Sequence, residues 1–470
     1  MGTISFSGLA SGIDSASLID ALIEAREKQN ESRKAEVEHL GQENDALEEL
    51  NTKMLKLSSL VDRFRTVNAG GVLKRATSSD STVATAVVGS SAISTTYNIT
   101  VGTLAKNATA SLEDTAGGEN YTGSTDLMTE AGAGPYSITL DVGLGGDLVS
   151  SVFNITGTTT LQDFVDAVNS DATLSGRIAA SIVNAGTTSS ADYRVVLSST
   201  YTGTSKGNLA VTIDAGLTDV ALNGGTVSQA TDASFTVDGL GTITRSSNVV
   251  SDLFTGMTLN LLKTGASTTI SVGSDADGTG DLINQIAKQY NDIVEYVNEN
   301  DLVTQDRNSR DGEITYGSLA KTKVDNNFLT DFREQLLEAS SSSGTYVLSF
   351  ADMGLSTNRD GTVTLDLEEF ISKVGTDPTG AGEVLTSFAD AVGGTLGTIY
   401  QYTKYAGNID TAQDANNEEV ENLQEKIAQV ERGSDKVRES LERTFARLEQ
   451  VTAKLQSDQS ALSGILAGLG

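Results

Sequence analysis

The sequence predicts an α+β multidomain chain in which antiparallel terminal helices, paired as a coiled coil, form a leg and stalk, with β-rich head domains inserted in the middle. The grounds are periodicity, composition and the placing of helix breakers. Apolar residues recur at three- and four-residue spacing near both ends, as the buried stripe of an α-helix requires. Between residues 76 and 274 Ser, Thr, Gly and Val dominate, in short alternating runs that suit a half-buried pleated surface. The two prolines, Pro135 and Pro378, both lie outside the terminal segments.

Taken in order, Asp14 precedes Leu18, Ile19, Leu22 and Ile23 and can cap the first helix by accepting from its free amides. Gly2, Gly8 and Gly12 loosen the segment before it. A seam then runs through Val37, Leu40, Leu47, Met54 and Val61, with Asn44, Asn51 and Ser58 between them and Leu50, Leu57 and Phe64 widening it. In the middle, Tyr97–Val101, Tyr136–Leu140, Tyr193–Leu197 and Leu209–Ile213 read as strands. A short helix, Leu161 to Asn169, follows a Thr158-Thr159-Thr160 cap cluster. Thr115 to Gly134, rich in Gly, Thr and acid, reads as a domain boundary or mobile loop.

Helices return after Ser274. Leu282, Ile286, Tyr290, Ile293 and Val297 share one face, as do Leu329, Phe332, Leu336 and Leu337 on the next helix. Leu355 to Leu365 encloses a hairpin turning at Asp360-Gly361. The last segment carries Val420, Leu423, Ile427, Val430, Val437, Leu441, Leu448, Val451, Leu455 and Leu462 at three–four spacing, about six heptads, flanked by Phe445 and Ile465. Ser434, Thr444 and Asp458 are polar lapses in that seam, and polar seam residues weaken pairing while restricting its register.

Two amphipathic ends must bury their stripes, and the cheapest partner for each is the other, or a copy in a neighbouring subunit. The expected division is residues 1–40 with 430–470 as a terminal coiled-coil leg and 41–75 with 275–429 as a helical stalk domain with a short β-hairpin. A β-rich head domain is expected from 76–112 with 231–274, and an outer β-rich insertion from 113–230. Legs that are individually marginal, poorly ordered in a dilute monomer, can fold on docking and so grip reversibly.

Composition narrows the function. With 63 acidic against 32 basic residues the formal net charge is −31, which excludes nucleic acid as a partner, since phosphate neutralisation needs clustered Lys and Arg. No cysteine occurs and His39 is the single histidine, in a charged helical stretch that predicts a solvated side chain. No catalytic residue, cofactor or metal site is expected. Asp275–Asp281 and Asp306–Glu313 supply oxygen ligands but lack the EF-hand's glycine and glutamate spacing. No cleavable leader and no apolar stretch of bilayer length is evident, so membrane insertion is not expected.

Four stretches read as motifs: the opening Ile4-Ser-Phe-Ser-Gly-Leu-Ala-Ser-Gly-Ile-Asp14, the run Phe235-Thr-Val-Asp-Gly239 onward through Arg245 and Asn248 to Gly256, Gly354-Leu-Ser-Thr-Asn-Arg-Asp-Gly361, and the C-terminal heptads entered through Gly407-Asn-Ile-Asp410. In sequence and in order they resemble the flagellar filament cap protein family (FliD, hook-associated protein 2). On that resemblance Gly8, Leu9, Gly12, Ile13, Asp14, Asp238, Gly239, Arg245, Asn248, Gly256, Asn358, Asp360 and Gly361 are motif residues. Thr160–Asn169 with Tyr193–Ser199 is similar to an insertion repeat shared by flagellins and hook-associated proteins.

The resemblance implies a secreted ring of roughly four to six subunits, closed head-to-tail, at the distal filament tip. The ring would help exported flagellin fold and insert. Implied partners are the chain itself, flagellin, hook-associated proteins and an export chaperone. A surface adhesin with a coiled-coil stalk and β-rich head, binding a host glycan or mucin, is the alternative, and the two roles can coexist. An enzyme is the other rival, but no nucleophile elbow or phosphate loop appears.

Overall fold

The computed structural model describes residues 14–115, 120–130, 132–305 and 314–467. Its helices, in chain order, are α1 (Ser15–Val61), α2 (Leu161–Ser170), α3 (Thr204–Gly207), α4 (Ala276–Asn300), α5 (Val324–Glu338), α6 (Leu367–Thr376), α7 (Pro378–Val392), α8 (Thr398–Thr403) and α9 (Asn408–Ala467). The chain divides into two compact units, one from Met1–Val72 with Ala276–Gly470 and one from Leu73–Asp275. The fold is α+β, with the β-rich unit inserted between helical ends.

The helical unit is built on aromatic packing. Tyr290 of α4 stacks on Phe332 of α5 with ring centroids 4.7 Å apart, and Phe388 of α7 meets Phe332 edge-on at 5.4 Å. Leu282, Ile286, Ile293 and Val297 of α4 are buried beside them, as are Leu329 and Leu336 of α5. Leu337 is not. It is 77% exposed, because one residue past Leu336 a helix has turned about 100° away from the core. The hairpin is Leu355–Thr357 paired with Val363–Leu365. Asn291 of α4 fixes it by donating to the Val363 carbonyl and accepting from the Val363 amide, both at 2.8 Å. Its loop spans Asn358–Thr362 rather than two residues. Asn358 donates to the Thr362 and Thr364 hydroxyls at 2.9 Å, Asp360 accepts from the Thr362 amide at 3.0 Å, and Gly361 adopts φ 89°. These three motif residues shape a turn.

The β-rich unit holds two cores. In the inner one, a five-stranded antiparallel sheet orders Lys74–Ser78, Ala266–Ser274, Thr96–Thr103, Ala233–Val237 and Gly241–Arg245. A three-stranded sheet of Val249–Phe254, Met257–Leu261 and Ala84–Val88 completes it around Ile99, Val101, Phe235, Leu259 and Ile270. The outer core is enclosed by Val220–Leu222, Thr109–Asp114, Tyr193–Ser199 and Ile178–Asn184 in one sheet and Val149–Ile155, Tyr136–Val142 and Leu209–Ile213 in another. α2 packs Leu161, Phe164, Val165 and Val168 into it, and its start is closed by a capping box between Thr160 and Asp163.

Two expectations need correction here. The passage between the β cores does not fall at residues 112/113. Ala108, Ala110 and Leu112 are buried in the outer core because Thr109–Asp114 pairs with Tyr193–Ser199, so the crossover lies between Ala105 and Ala108. Nor is Thr115–Gly134 a boundary. Among its described residues Tyr121, Met128 and Thr129 are buried, and Met128 donates its amide to Thr159. Gly and Thr content signals turns, and these turns are stitched down.

Candidate functional site

The site is built by α1 and α9, which run antiparallel. Asp14 caps α1, accepting from the Ser17 amide at 3.1 Å and its hydroxyl at 2.6 Å, which satisfies a free amide at the helix start. The register is written in polar contacts. Asn44 donates to Asn417 at 3.0 Å and accepts from Asn416 at 3.0 Å, while its carbonyl accepts from Gln413. Glu43 accepts from Asn416 at 3.1 Å. Farther along, Lys34 pairs with Glu431 at 3.0 Å, Asn30 donates to the Ile427 carbonyl and Arg438 pairs with Asp20 at 2.6 Å. Gly433 leaves the gap that Arg26 fills; a Cβ there would sit 3.2 Å from the guanidinium.

Burial is graded along this pair. Leu40, Leu47, Met54 and Val61 of α1 are buried and Val37 is half-buried. Ile19 and Ile23 are buried, whereas Leu18 and Leu22 are half-exposed. On α9, Leu423 is buried and Val420, Ile427, Val430, Val437 and Leu441 are half-buried. Ser434 is fully enclosed, its hydroxyl without a hydrogen-bond partner among the described residues. Beyond this the seam opens. Leu448, Val451, Leu455 and Leu462 are 46%, 54%, 62% and 63% exposed. α9 runs on to Ala467, whereas α1 begins at Ser15 behind its Asp14 cap, and the last ion pair between the two helices toward that end is Arg438 with Asp20 among the described residues.

His39 departs from its expectation as a solvated side chain. Its Nε2 is enclosed without a hydrogen-bond partner among the described residues, and its ring lies 6.4 Å from that of Tyr316. The remaining motif residues hold backbone in place. Asn248 donates to the Ala105 carbonyl at 2.9 Å and accepts from the Ala105 amide at 2.7 Å. Arg245 pairs with Asp252 at 2.9 Å, and Asp238 accepts from Asn98 at 2.7 Å. Gly239 and Gly256 have φ of 82° and 71°, and a Cβ on Gly256 would strike Ser91. Gly8, Leu9, Gly12, Ile13 and the acidic run 306–313 lie outside the described residues, as does the side chain of Ile465.

The sequence reading missed Asn30, Glu43, Gln413, Asn416 and Asn417 as contributors. The signal available was polar residues flanking apolar ones at helical spacing. A surface concavity of about 420 Å³ in the helical unit is lined by Thr66, Gly70, Gly71, Gly382, Glu383 and Asp390 among others. Its carboxylates are already engaged, Asp390 by the Thr66 amide and Glu383 by Ser342 and Ser343.

These features define a protein whose two ends pair as helices, leaving an apolar stripe at the tail, and whose middle forms a separate β-rich unit. Residues 11–108 match the family described as "Flagellar hook-associated protein 2 N-terminus" and residues 230–457 that described as "Flagellar hook-associated protein 2 C-terminus". The chain belongs to the flagellar hook-associated protein 2 family. It is 24% identical over 454 residues to the B-type flagellar hook-associated protein 2 of Pseudomonas aeruginosa, covering 92% of this chain and 89% of that one. To the A-type protein of Pseudomonas aeruginosa it is 26% identical over 495 residues, covering 95% and 97%. Its fold is similar to the crystal structure of the flagellar cap protein FliD D1-D2-D3 domains from Escherichia coli. The TM-score is 0.54 at 21% identity, over 80% of this chain and 99% of that one.

Proposed function

We propose that this chain caps the bacterial flagellar filament. In this reading it assembles with copies of itself into a ring at the distal tip, promotes folding and insertion of exported flagellin, and prevents flagellin loss. Family membership supports the reading, and the observation that carries it is the exposed stripe Leu448, Val451, Leu455 and Leu462. An apolar helix face in water gains about 25 cal/mol per Å² when covered, and a neighbouring subunit or the end of a helical polymer can cover it. The pairing of residues 1–40 with 430–470 is then the leg, and 41–75 with 275–429 the stalk. Flagellin, hook-associated proteins and an export chaperone are its partners, and no enzymatic role is proposed. Absence of cysteine suits passage of an unfolded chain through a narrow conduit. Nothing observed favours the adhesin reading.

The test is replacement of Leu448, Val451, Leu455 and Leu462 by serine in the full chain, expressed in a strain lacking the native copy. Hooks without filaments, flagellin in the medium and filament ends bare of a plate in electron microscopy are expected. Full-length filaments in the strain lacking this chain altogether would overturn the assignment.

A further inference from the structure

The start of α5 carries a charge arrangement that the capping reading does not use. Asp325, in the first turn of α5, is fully buried, and its Oδ1 has no hydrogen-bond partner among the described residues. The charged groups acting on it are Asp301, just past the end of α4, and Glu43 of α1, itself 5% exposed. Both are acidic. Asn326 bridges Asp301 and Asp325 through one amide, at 3.1 and 3.5 Å. From α9 comes neutral Asn416, donating to Glu43 at 3.1 Å. α7 faces α5 with Phe388, and α8 with Tyr402, whose hydroxyl is held by Asp331. Of the lysines leading into α5, Lys321 is paired with Glu36 and Lys323 is exposed. No cation is set against the three carboxylates among these groups.

A buried carboxyl among like charges favours its neutral form. We propose that the α1–α4–α5 junction is a proton-sensitive joint: with Asp325 protonated it is closed, and with Asp325 ionised, repulsion from Glu43 and Asp301 loosens it. Because Asn416 ties Glu43 to α9, the joint also biases the place where α1 and α9 begin to pair. Burial, aided by Asp301 and Glu43 and opposed by the backbone amides of Asn326 and Asp325, pushes the Asp325 carboxyl up to about 6 from its ordinary 3.8. The folded-state value is raised, so its contribution to stability is present at low pH and is lost as pH climbs from about 4 through about 6.

The experiment titrates the full chain, following the Asp325 side-chain carboxyl carbon by NMR together with amide exchange in the first turn of α5. A midpoint near 6, with exchange in that turn quickening more than tenfold across it after correction for intrinsic rates, is expected. A midpoint in the ordinary carboxylate range overturns the proposal. Asp325→Asn should flatten the dependence of Tm on pH between 5 and 7.5; a profile parallel to the unmodified chain's overturns it equally. Should that variant fail to fold, Glu43→Gln must shift the Asp325 midpoint downward, and an unmoved midpoint sinks the idea.

Discussion

Asp377 gathers four backbone amides onto one side chain. Its Oδ2 accepts from Thr345, Tyr346 and Val347 at 2.7, 2.8 and 3.2 Å, and its Oδ1 caps α7 through Gly380 at 2.9 Å. The Tyr346 and Gly380 amides, foremost among these, hold the carboxyl down at about 2. Glu383 does likewise for the serine loop, and the bonds from Ser343 hold it at about 2. Both values are depressed, so their stabilisation is complete above the ordinary carboxylate range and disappears as pH falls through about 2. Asp377→Ala should lower the melting temperature at pH 7 by roughly 3–6 °C, with the gap closing below pH 3; calorimetry across pH checks it. Part of this was legible, since an Asp before Pro378 announces a helix start. The other half was not, because the residues it serves lie about thirty positions upstream and no local pattern links them. His39 failed for a similar reason. Its charged neighbours say nothing of Tyr316, which tertiary packing brings alongside.

Between α1 and α9 the question becomes which stretches of seam are already satisfied. Three–four spacing revealed both helices and their apolar faces; of the polar lapses Asn44 bonds across the pair, whereas Asn51 Oδ1 and the Ser434 hydroxyl have no partner among the described residues. Spacing cannot say where one partner stops, so the opening of the seam beyond Arg438 was invisible. That difference predicts opposite mutational outcomes at matching residue types. Leu47, wholly buried, should cost about 2–5 kcal/mol when replaced by Ala. Leu455, 62% exposed, should leave the unfolding midpoint of the isolated chain within error yet impair filament growth. Chemical denaturation of both variants beside a motility assay separates them. Equal destabilisation would mean that the tail of α9 is sealed within the monomer. Asn44 supplies the matching test of register. Asn44→Leu removes its bonds to Asn416 and Asn417 and should hold or raise the melting temperature while broadening distances between spin labels on α1 and α9.

For the whole molecule, charge and apolar surface pull in opposite directions. Each copy carries a formal −31, so like copies repel at long range, while the Leu448–Leu462 stripe attracts only on contact. Repulsion is screened over about 10 Å at 0.1 M salt and about 3 Å at 1 M, whereas apolar burial is not weakened by salt. Self-association should therefore strengthen by about tenfold or more as sodium chloride rises from about 0.05 M to about 0.5 M, measured by sedimentation velocity. The serine-substituted stripe should stay dissociated at both salt concentrations, showing that screening permits contact but does not supply its energy. The β-rich unit, with its own two cores, should contribute little to the contact. A fragment of residues 73–275 should stay monomeric across the same range while melting cooperatively. If association of the full chain instead weakens with salt, subunits are held by ion pairs, and the exposed tail of α9 is not the surface that joins them.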